Sequence, residues 1–166
     1  MVRNGKPITL GFYVYDNLVT CKLEENLQWF LGEMKKKLLD VKVQENFIKT
    51  FLGMLIDTTQ KNKITLCMNQ LTKERLDGIF DEASTPALDN LFISKEGSLP
   101  LIKSQREQFH SKVAKLRYLA ENTRPDFNLA ASFLSTKVTA PTEDDAVKLH
   151  RILCYLKKNK RFQTSD

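Results

Sequence analysis

The sequence predicts a mixed α+β fold in which short β-strands and one helix come first and helices alone follow. Apolar and β-branched residues cluster in short runs before residue 70, which is typical of paired strands. From residue 104 onward apolar residues recur every three or four positions, as on amphipathic helices. With 166 residues, 42% of them hydrophobic, the chain is long enough to bury a core.

Residues 8–39 are predicted to form a β-hairpin followed by a helix. Residues 8–14 and 17–21 are strand-like, and the short break at Tyr15 and Asp16 separates them. Residues 23–39 then place apolar side chains on one helical stripe. Two glutamates near the start of this helix and three lysines near its end match the helix dipole.

A second strand pair and a second helix are predicted between residues 47 and 80. Residues 47–56 are interpreted as one largely buried strand, and residues 64–68 as its partner across a polar turn. Residues 70–80 then predict a helix. The side chains expected to point inward from this helix are Leu71, Leu76, Ile79 and Phe80.

The last part of the chain is predicted to be a linker followed by three helices. Residues 81–100 contain two prolines and no clear period, so we expect extended, partly mobile chain. The last helix begins after Pro141, where Thr142 can act as the N-cap and Asp145 lies three residues on. The apolar stripes of the three helices are Phe109, Val113, Leu116 and Leu119; Phe127, Ala130, Ala131 and Leu134; and Ala146, Leu149, Leu153 and Leu156.

The composition is that of an ordinary globular protein with a basic excess. Lys and Arg number 26 against 20 Asp and Glu, and the net charge of +6 favours polyanionic partners. No apolar run approaches the roughly 20 residues that span a bilayer, and the N-terminus lacks the apolar core of a signal peptide. We therefore expect an intracellular protein, cytoplasmic or nuclear, with no membrane partner.

The cysteines and histidines give no sign of a disulfide or metal framework. Cys21, Cys67 and Cys154 are odd in number and far apart, so we expect three reduced thiols that pack in the interior. His110 and His150 are the two histidines, and neither is expected to bind a metal.

Four segments, taken in chain order, resemble the copia family of retrotransposon polymerases. Residues 12–19, FYVYDNLV, resemble the catalytic hairpin of the family, Tyr-Val-Asp-Asp-Leu-Leu-Val or similar. Residues 51–56, FLGMLI, resemble the Phe-Leu-Gly-Met segment near its primer-gripping hairpin. Residues 118–127 resemble its Tyr-Leu and Thr-Arg-Pro-Asp-Ile pattern, and residues 140–157 resemble the helix that precedes its RNase H domain.

The resemblance implies the C-terminal half of a reverse transcriptase, an RNA-directed DNA polymerase that is part of a Pol polyprotein. Residues 1–80 would be the end of the palm, with a primer-grip-like hairpin and the start of the thumb. Residues 81–103 would be a linker, and residues 104–160 a helical thumb and connector leading toward an absent RNase H domain. The implied partners are an RNA–DNA or DNA duplex, the missing polymerase segments, or a second copy of the chain.

The same resemblance predicts that the chain does not polymerise DNA by itself. Polymerases of this family hold two Mg²⁺ ions on carboxylates, which stabilise the attacking and leaving oxygens. Tyr15 stands at the first aspartate position of the hairpin, and a neutral phenol cannot replace a carboxylate beside hard cations. Asp16 is then a weak remnant of the catalytic and metal-binding pair, or simply a turn residue. The upstream catalytic strand and the fingers are expected to be missing, so the isolated chain is expected to need no cofactor.

Two basic clusters and one hairpin segment are the candidate contacts to nucleic acid. The lysine and arginine side chains could contact phosphates, or could merely complement the C-terminal ends of helices. The hairpin segment would contact a primer terminus by resemblance, or would otherwise form a buried strand. These candidates are Lys35, Lys36, Lys37, Lys157, Lys158, Lys160 and Arg161, with Phe51, Leu52 and Gly53 in the hairpin segment.

Two further features favour structural roles, and three hypotheses about function stay open. Trp29 is interpreted as a packing residue rather than a base-stacking platform, and residues 124–126 as a helix start. The chain could be a degenerate remnant that catalyses nothing. It could be a retained non-enzymatic module that binds a duplex or a protein. It could also be a fragment of a longer polyprotein that works only beside fingers and RNase H.

Overall fold

The chain is a mixed α+β protein, as the sequence predicts. The computed structural model describes residues 1–38, 40–68, 72, 76 and 78–159. These residues form two small antiparallel sheets, each with three strands, and four α-helices. The chain divides into two compact units, Met1–Thr65 and a second that begins at Leu66, and each is described by itself. None of the helices described is long and apolar enough to cross a membrane.

The first sheet consists of strands β1 (Val2–Arg3), β2 (Lys6–Tyr13) and β3 (Asp16–Cys21), in that order. The predicted hairpin is confirmed, but its turn lies one residue earlier than expected. Tyr13 pairs with Asp16, so Val14 and Tyr15 form the turn. Val14 adopts a positive φ of 45°, a conformation that a β-branched residue rarely takes. Asp16 is therefore the first residue of a strand.

Helix α1 (Glu24–Lys37) packs on this first sheet and confirms the predicted helix to within two residues at each end. The contact is polar at its first turn, where the fully buried Asn26 side chain donates to the carbonyl of Arg3 at 3.0 Å. Phe30 is the buried aromatic side chain of the helix. The guanidinium of Arg3 lies 4.1 Å from the centre of the Trp29 ring. Trp29 is thus half-buried against the sheet.

The second sheet shows that the prediction of one long strand over residues 47–56 was wrong. That segment is a hairpin of β4 (Ile48–Phe51) and β5 (Met54–Asp57), and β6 (Thr65–Cys67) completes the sheet in the order β4-β5-β6. Leu52 and Gly53 form the turn, with φ values of 52° and 73°. Two successive positive φ values are typical of the tight hairpin turn that matches strand twist. The apolar run over residues 51–56 concealed this turn, because the Leu-Gly pair contains no polar turn residue.

The three helices that the sequence predicts after residue 104 are confirmed. They are α2 (Lys103–Asn122), a 3₁₀ turn (Pro125–Phe127) that leads into α3 (Asn128–Ser135), and α4 (Glu143–Lys158). Thr142 caps α4, and its capping box with Asp145 is present. The predicted stripes are buried apart from Ala146, which is partly exposed. The buried side chains of this core include Phe109, Val113, Leu116, Leu119, Phe127, Ala130, Ala131, Leu134, Leu149, Ile152, Leu153 and Leu156.

The predicted helix over residues 70–80 falls largely outside the described residues. Thr72 and Leu76 are helical, but Ile79 and Phe80 are not. Phe80 is 86% exposed, so the expectation that it points inward was wrong. The chain turns at Gly78, where φ is +76°, and the ammonium group of Lys157 lies over the Phe80 ring, 5.6 Å from its centre.

Residues 79–100 form an irregular segment that lies along α4. It contains no regular helix or strand, which agrees with the predicted linker, yet hydrogen bonds fix it at many points. Ala83 donates its backbone N–H to the carbonyl of Cys154 at 3.3 Å, and Lys148 donates to the carbonyl of Ile93 at 2.7 Å. An isolated bridge pairs Pro100 with Thr142. We call residues 79–85 the strap, because five hydrogen bonds tie them to the last three turns of α4.

Candidate functional site

The hairpin that resembles a polymerase catalytic hairpin presents an isolated carboxylate. Asp16 is exposed at the start of β3, and the neighbouring Tyr15 is 94% exposed at the turn. Two-metal catalysis needs several carboxylates around a pair of ions about 4 Å apart. Within the described part of the chain, Asp16 belongs to no group of three or more side chains that could hold a metal. The hairpin therefore offers one carboxylate, that of Asp16, to a cation.

The Phe51-Leu52-Gly53 segment lies at the turn of the β4–β5 hairpin. Phe51 and Leu52 are half-buried, and Gly53 is exposed. A Cβ atom placed on Gly11 of β2 would lie 3.9 Å from Cζ of Phe51, so the Phe51 ring packs against the first sheet. This packing gives Phe51 a structural role within the first unit.

The lysine cluster at the end of α1 is exposed. Lys36 forms an ion pair with Glu33 at 2.7 Å, and this contact lowers the pKa of the Glu33 carboxyl. Lys35 and Lys37 make no ion pair with any residue that the structure describes. All three lysines lie in the last turn of the helix, where the dipole is negative. Lys35 and Lys37 can therefore contact an anion without breaking an ion pair to a described residue. Lys36 would first have to leave Glu33.

The lysines at the end of α4 hold the strap instead of pointing freely into solvent. Lys157 Nζ donates to the carbonyl oxygens of Ile79 and Phe80 at 2.5 and 2.9 Å. Lys158 Nζ donates to the hydroxyl of Ser84 at 3.1 Å. Lys160 and Arg161 lie outside the described residues. A phosphate contact by Lys157 would have to compete with the two backbone carbonyls.

A row of basic side chains on α2 was missed by the sequence analysis. Lys103, Arg106, His110 and Arg117 are spaced by three, four and seven residues and are all exposed, so they share one side of the helix. We call these four residues the α2 stripe. Arg117 pairs with Glu121 at 2.7 Å and donates to Ser135. Lys103 and Arg106 have no ion-pair partner among the residues described, and the first turn of α2 contains no acidic residue.

The charge order at the start of α2 is unfavourable for the isolated helix. The N-terminal end of a helix carries a partial positive charge, which favours acidic side chains there. Lys103 is instead the first residue of α2, and Arg106 follows one turn later. An anion bound at this end would interact favourably with both side chains and with the helix dipole. The sequence signal for this surface was the helical spacing of the basic residues, on a side of α2 away from its buried apolar residues.

The Thr-Arg-Pro-Asp segment has a structural role in the second unit. Arg124 is buried and makes a bidentate pair with Asp126 at 2.8 and 2.9 Å, while its third nitrogen donates to the carbonyl of Asn159 at 3.1 Å. The Tyr155 hydroxyl also donates to Asp126 at 2.8 Å. Burial acts to raise the pKa of Asp126, but the hydrogen bonds from Arg124 and Tyr155 outweigh it and lower that pKa. The cluster joins the end of α2 to the end of α4.

A second cluster combines three chemically different ligand groups. The possible donor atoms of Asp81, His150 and Cys154 all lie within 4.8 Å of one another, and His150 Nε2 is 3.5 Å from Asp81 Oδ2. Cys154 is buried, while the other two side chains are exposed. Burial, followed by the charge of Asp81, raises the pKa of the Cys154 thiol. The sequence signal that was missed is the four-residue spacing of His150 and Cys154 on one helix face, and Asp81 could not have been found by spacing.

A cleft of about 260 Å³ opens between α2 and α4 beside His150. Apolar side chains such as Phe109 and Leu153 line it, and Gln105, Lys112 and His150 supply polar groups. His150 therefore belongs both to this cleft and to the Asp81–His150–Cys154 cluster.

Comparison with known proteins adds no assignment to this geometry. No protein-family model matches the chain, and searches of the curated proteins and of the solved structures found no match.

Proposed function

We propose that this chain is a non-catalytic module related to copia-type reverse transcriptases, and that it binds the phosphate backbone of nucleic-acid duplexes. The resemblance of four ordered segments supports the relationship, which would make the hairpins and α1 the end of a palm and α2 to α4 a thumb and connector. The α2 stripe is the observation that carries the binding function. Two of its side chains, Lys103 and Arg106, are exposed at the positive end of α2 and have no ion-pair partner among the residues described, so a bound anion would interact favourably with both.

Binding of this kind is independent of base sequence. Lysine and arginine neutralise phosphates and release condensed counterions, so affinity falls steeply as salt increases. Phosphate contacts position a protein on a duplex but do not read its bases. Lys35 and Lys37 of the first unit are a second set of exposed cations that fits this role. The module would therefore bind RNA–DNA hybrid and DNA duplexes of any sequence.

The test is fluorescence anisotropy with a labelled RNA–DNA hybrid at several salt concentrations, with and without Mg²⁺. The double variant Lys103→Gln/Arg106→Gln should weaken binding and reduce the slope of log K against log salt by about 1.8, because each phosphate contact to a duplex contributes about 0.9. The matched control is Lys61→Gln/Lys63→Gln, which removes the same charge from an exposed loop and should leave the slope nearly unchanged. Equal losses in both double variants would show that net charge alone drives binding and would contradict the assignment of the stripe.

The absence of polymerase activity is part of the same proposal. Asp16 has no neighbouring carboxylates among the residues described that would complete a two-metal site. We expect no Mg²⁺-dependent extension of a primer by the purified chain. Extension above background would overturn the non-catalytic assignment. It would not affect the result of the duplex-binding assay.

A second candidate function is favoured by the tip of the first hairpin. Phe12, Tyr13, Val14 and Tyr15 are 65%, 58%, 76% and 94% exposed, which places four large hydrophobic side chains at the tip of one hairpin. Exposed apolar patches of this kind commonly mark contact surfaces. A second copy of the chain, or the rest of a polymerase, would cover this tip in the partner-binding hypothesis. Sedimentation of the wild type and of Tyr13→Ser/Tyr15→Ser should show concentration-dependent association in the wild type only. A wild type that stays monomeric would exclude self-association through this tip.

A further inference from the structure

We propose that Asp81, His150 and Cys154 form a binding site for a borderline-soft divalent transition metal ion, of which Zn²⁺ is the natural example. This inference goes beyond the proposed binding of nucleic acid and does not depend on it. The residues come from two segments, the strap and α4, which the hydrogen bonds between them hold together.

The distances suit a small tetrahedral ion. Zn²⁺ binds nitrogen and oxygen at about 2.0 to 2.2 Å and thiolate sulfur at about 2.3 Å, so its ligand atoms stand roughly 3.3 to 3.8 Å apart. His150 Nε2 and Asp81 Oδ2 are already 3.5 Å apart, and all the donor atoms lie within 4.8 Å. The exposed side chains of Asp81 and His150 can close the remaining gap by rotation. Cys154 is fixed in the interior and would serve as the anchor.

The backbone around Asp81 is held from both sides, which makes the cluster a built site and not an accident of an exposed loop. Before Asp81, the carbonyls of Ile79 and Phe80 accept from Lys157. After it, the N–H of Ala83 donates to the carbonyl of Cys154, one of the three proposed ligand residues. Pre-organised ligands lose less conformational entropy when they bind, so the strap supports metal affinity.

The donor set selects the class of metal. One thiolate, one imidazole and one carboxylate favour Zn²⁺ and its spectroscopic substitute Co²⁺, whereas Mg²⁺ and Ca²⁺ prefer oxygen ligands alone. Binding requires that the Cys154 S–H bond breaks, the sulfur keeps the electron pair and bonds to the metal, and the proton leaves to solvent. The thiolate and the carboxylate then balance the two positive charges of the ion. Three protein ligands leave a fourth position for water or for a ligand group.

Two nearby cations, Arg151 and Lys157, are hydrogen-bonded to neutral groups of the strap and keep their positive charge. Arg151 donates to the hydroxyl of Thr85 at 2.9 Å, and Lys157 donates to the two strap carbonyls. Both side chains therefore hold the strap in place next to the proposed site. Their charge lowers affinity somewhat, and we expect binding that is weaker than in a site with four protein ligands.

The experiment is titration of the untagged full chain, under reducing conditions, with Co²⁺. We expect one equivalent to bind and to produce the thiolate-to-cobalt charge-transfer absorption. Cys154→Ser should abolish this absorption, whereas the matched control Cys21→Ser should retain it. His150→Asn should weaken binding by about tenfold or more, while His110→Asn, which changes the other histidine, should not.

A second readout guards against loss of folding in the buried Cys154 variant. Zn²⁺ should raise the melting temperature of the wild type but not that of Asp81→Asn or His150→Asn, whose side chains are exposed and can be replaced without disturbing the core. Mg²⁺ at the same concentration should not raise the melting temperature of the wild type or of either variant. The proposal is overturned if the wild type binds no Co²⁺, if the absorption survives in Cys154→Ser, or if the exposed-ligand variants respond to Zn²⁺ as the wild type does.

Discussion

At the scale of single residues, Arg124 shows how a segment that resembles a polymerase motif can be explained by packing. Its guanidinium is buried and donates hydrogen bonds both to the Asp126 carboxylate and to the Asn159 carbonyl. The rings of Phe127 and Tyr155 lie 5.7 and 5.9 Å from it. The arginine thus links the start of the 3₁₀ turn to the end of α4, and no ligand is needed to account for it.

We expect Arg124→Ala to lower the free energy of unfolding by about 2 to 3 kcal/mol. This is less than the roughly 3 to 5 kcal/mol for breaking a fully buried ion pair, because the Asp126 side chain remains 30% exposed. The matched control is Arg117→Ala, whose pair with Glu121 is exposed on both sides and should contribute less than about 1 kcal/mol. Urea unfolding of both variants measures the difference. Equal costs would mean that burial of Arg124 has no energetic consequence.

At the scale of elements, the β4–β5 hairpin depends on its two-residue turn. Gly53 has a φ of +73°, in the region that L-residues avoid, and a Cβ there would meet no other atom within 4 Å. The cost of a side chain at Gly53 is therefore conformational and not steric. Gly32 also has open space around its Cβ position, but it lies inside α1 with ordinary helical geometry.

Replacing the two glycines by alanine should change the free energy of unfolding in opposite directions. Gly53→Ala should destabilise the first unit by about 1 kcal/mol, because alanine resists a positive φ. Gly32→Ala should stabilise it by about 0.5 to 1 kcal/mol, since alanine restricts the unfolded chain and favours helix. Thermal unfolding followed by circular dichroism gives both changes. A stabilising Gly53→Ala would contradict the assigned turn.

At the scale of the whole molecule, the two units differ in how much apolar surface they bury. Ile8 and Phe30 are the buried hydrophobic side chains described in the first unit, whereas most of the apolar stripes on α2, α3 and α4 are fully buried in the second. Hydrophobic burial is the main source of folding stability. Among the residues described, the second unit therefore has the larger hydrophobic core.

Amide hydrogen exchange should therefore be faster in the sheets of the first unit than in α2 and α4. Local opening is easiest where few apolar contacts hold the backbone hydrogen bonds. Exchange measured by mass spectrometry on peptides from both units tests this difference. Protection of β2 and β3 as strong as that of α4 would contradict it.

The sequence by itself determined the elements whose periodicity is long. The stripes of α1, α2, α3 and α4 follow from apolar spacing, and the start of α4 follows from Thr142 and Asp145, because local hydrogen bonds and one-sided burial act over a few residues. The alternation of β2 and β3 likewise predicted the hairpin. The β4–β5 turn could not be found in the same way, since Leu52 and Gly53 interrupt an apolar run without any polar residue.

Only the tertiary structure decided which side chains meet. Asp81 lies 69 residues from His150 in the chain and reaches it because Lys157 and the Cys154 carbonyl hold the strap on α4. The same contacts give Lys157 and Lys158 partners in the strap, whereas their place at a helix end predicts a phosphate contact or a charge that complements the helix dipole. Spacing in the sequence predicts which residues lie next to each other on one helix or strand. A site built from two segments depends instead on packing and hydrogen bonds that form only when the chain folds.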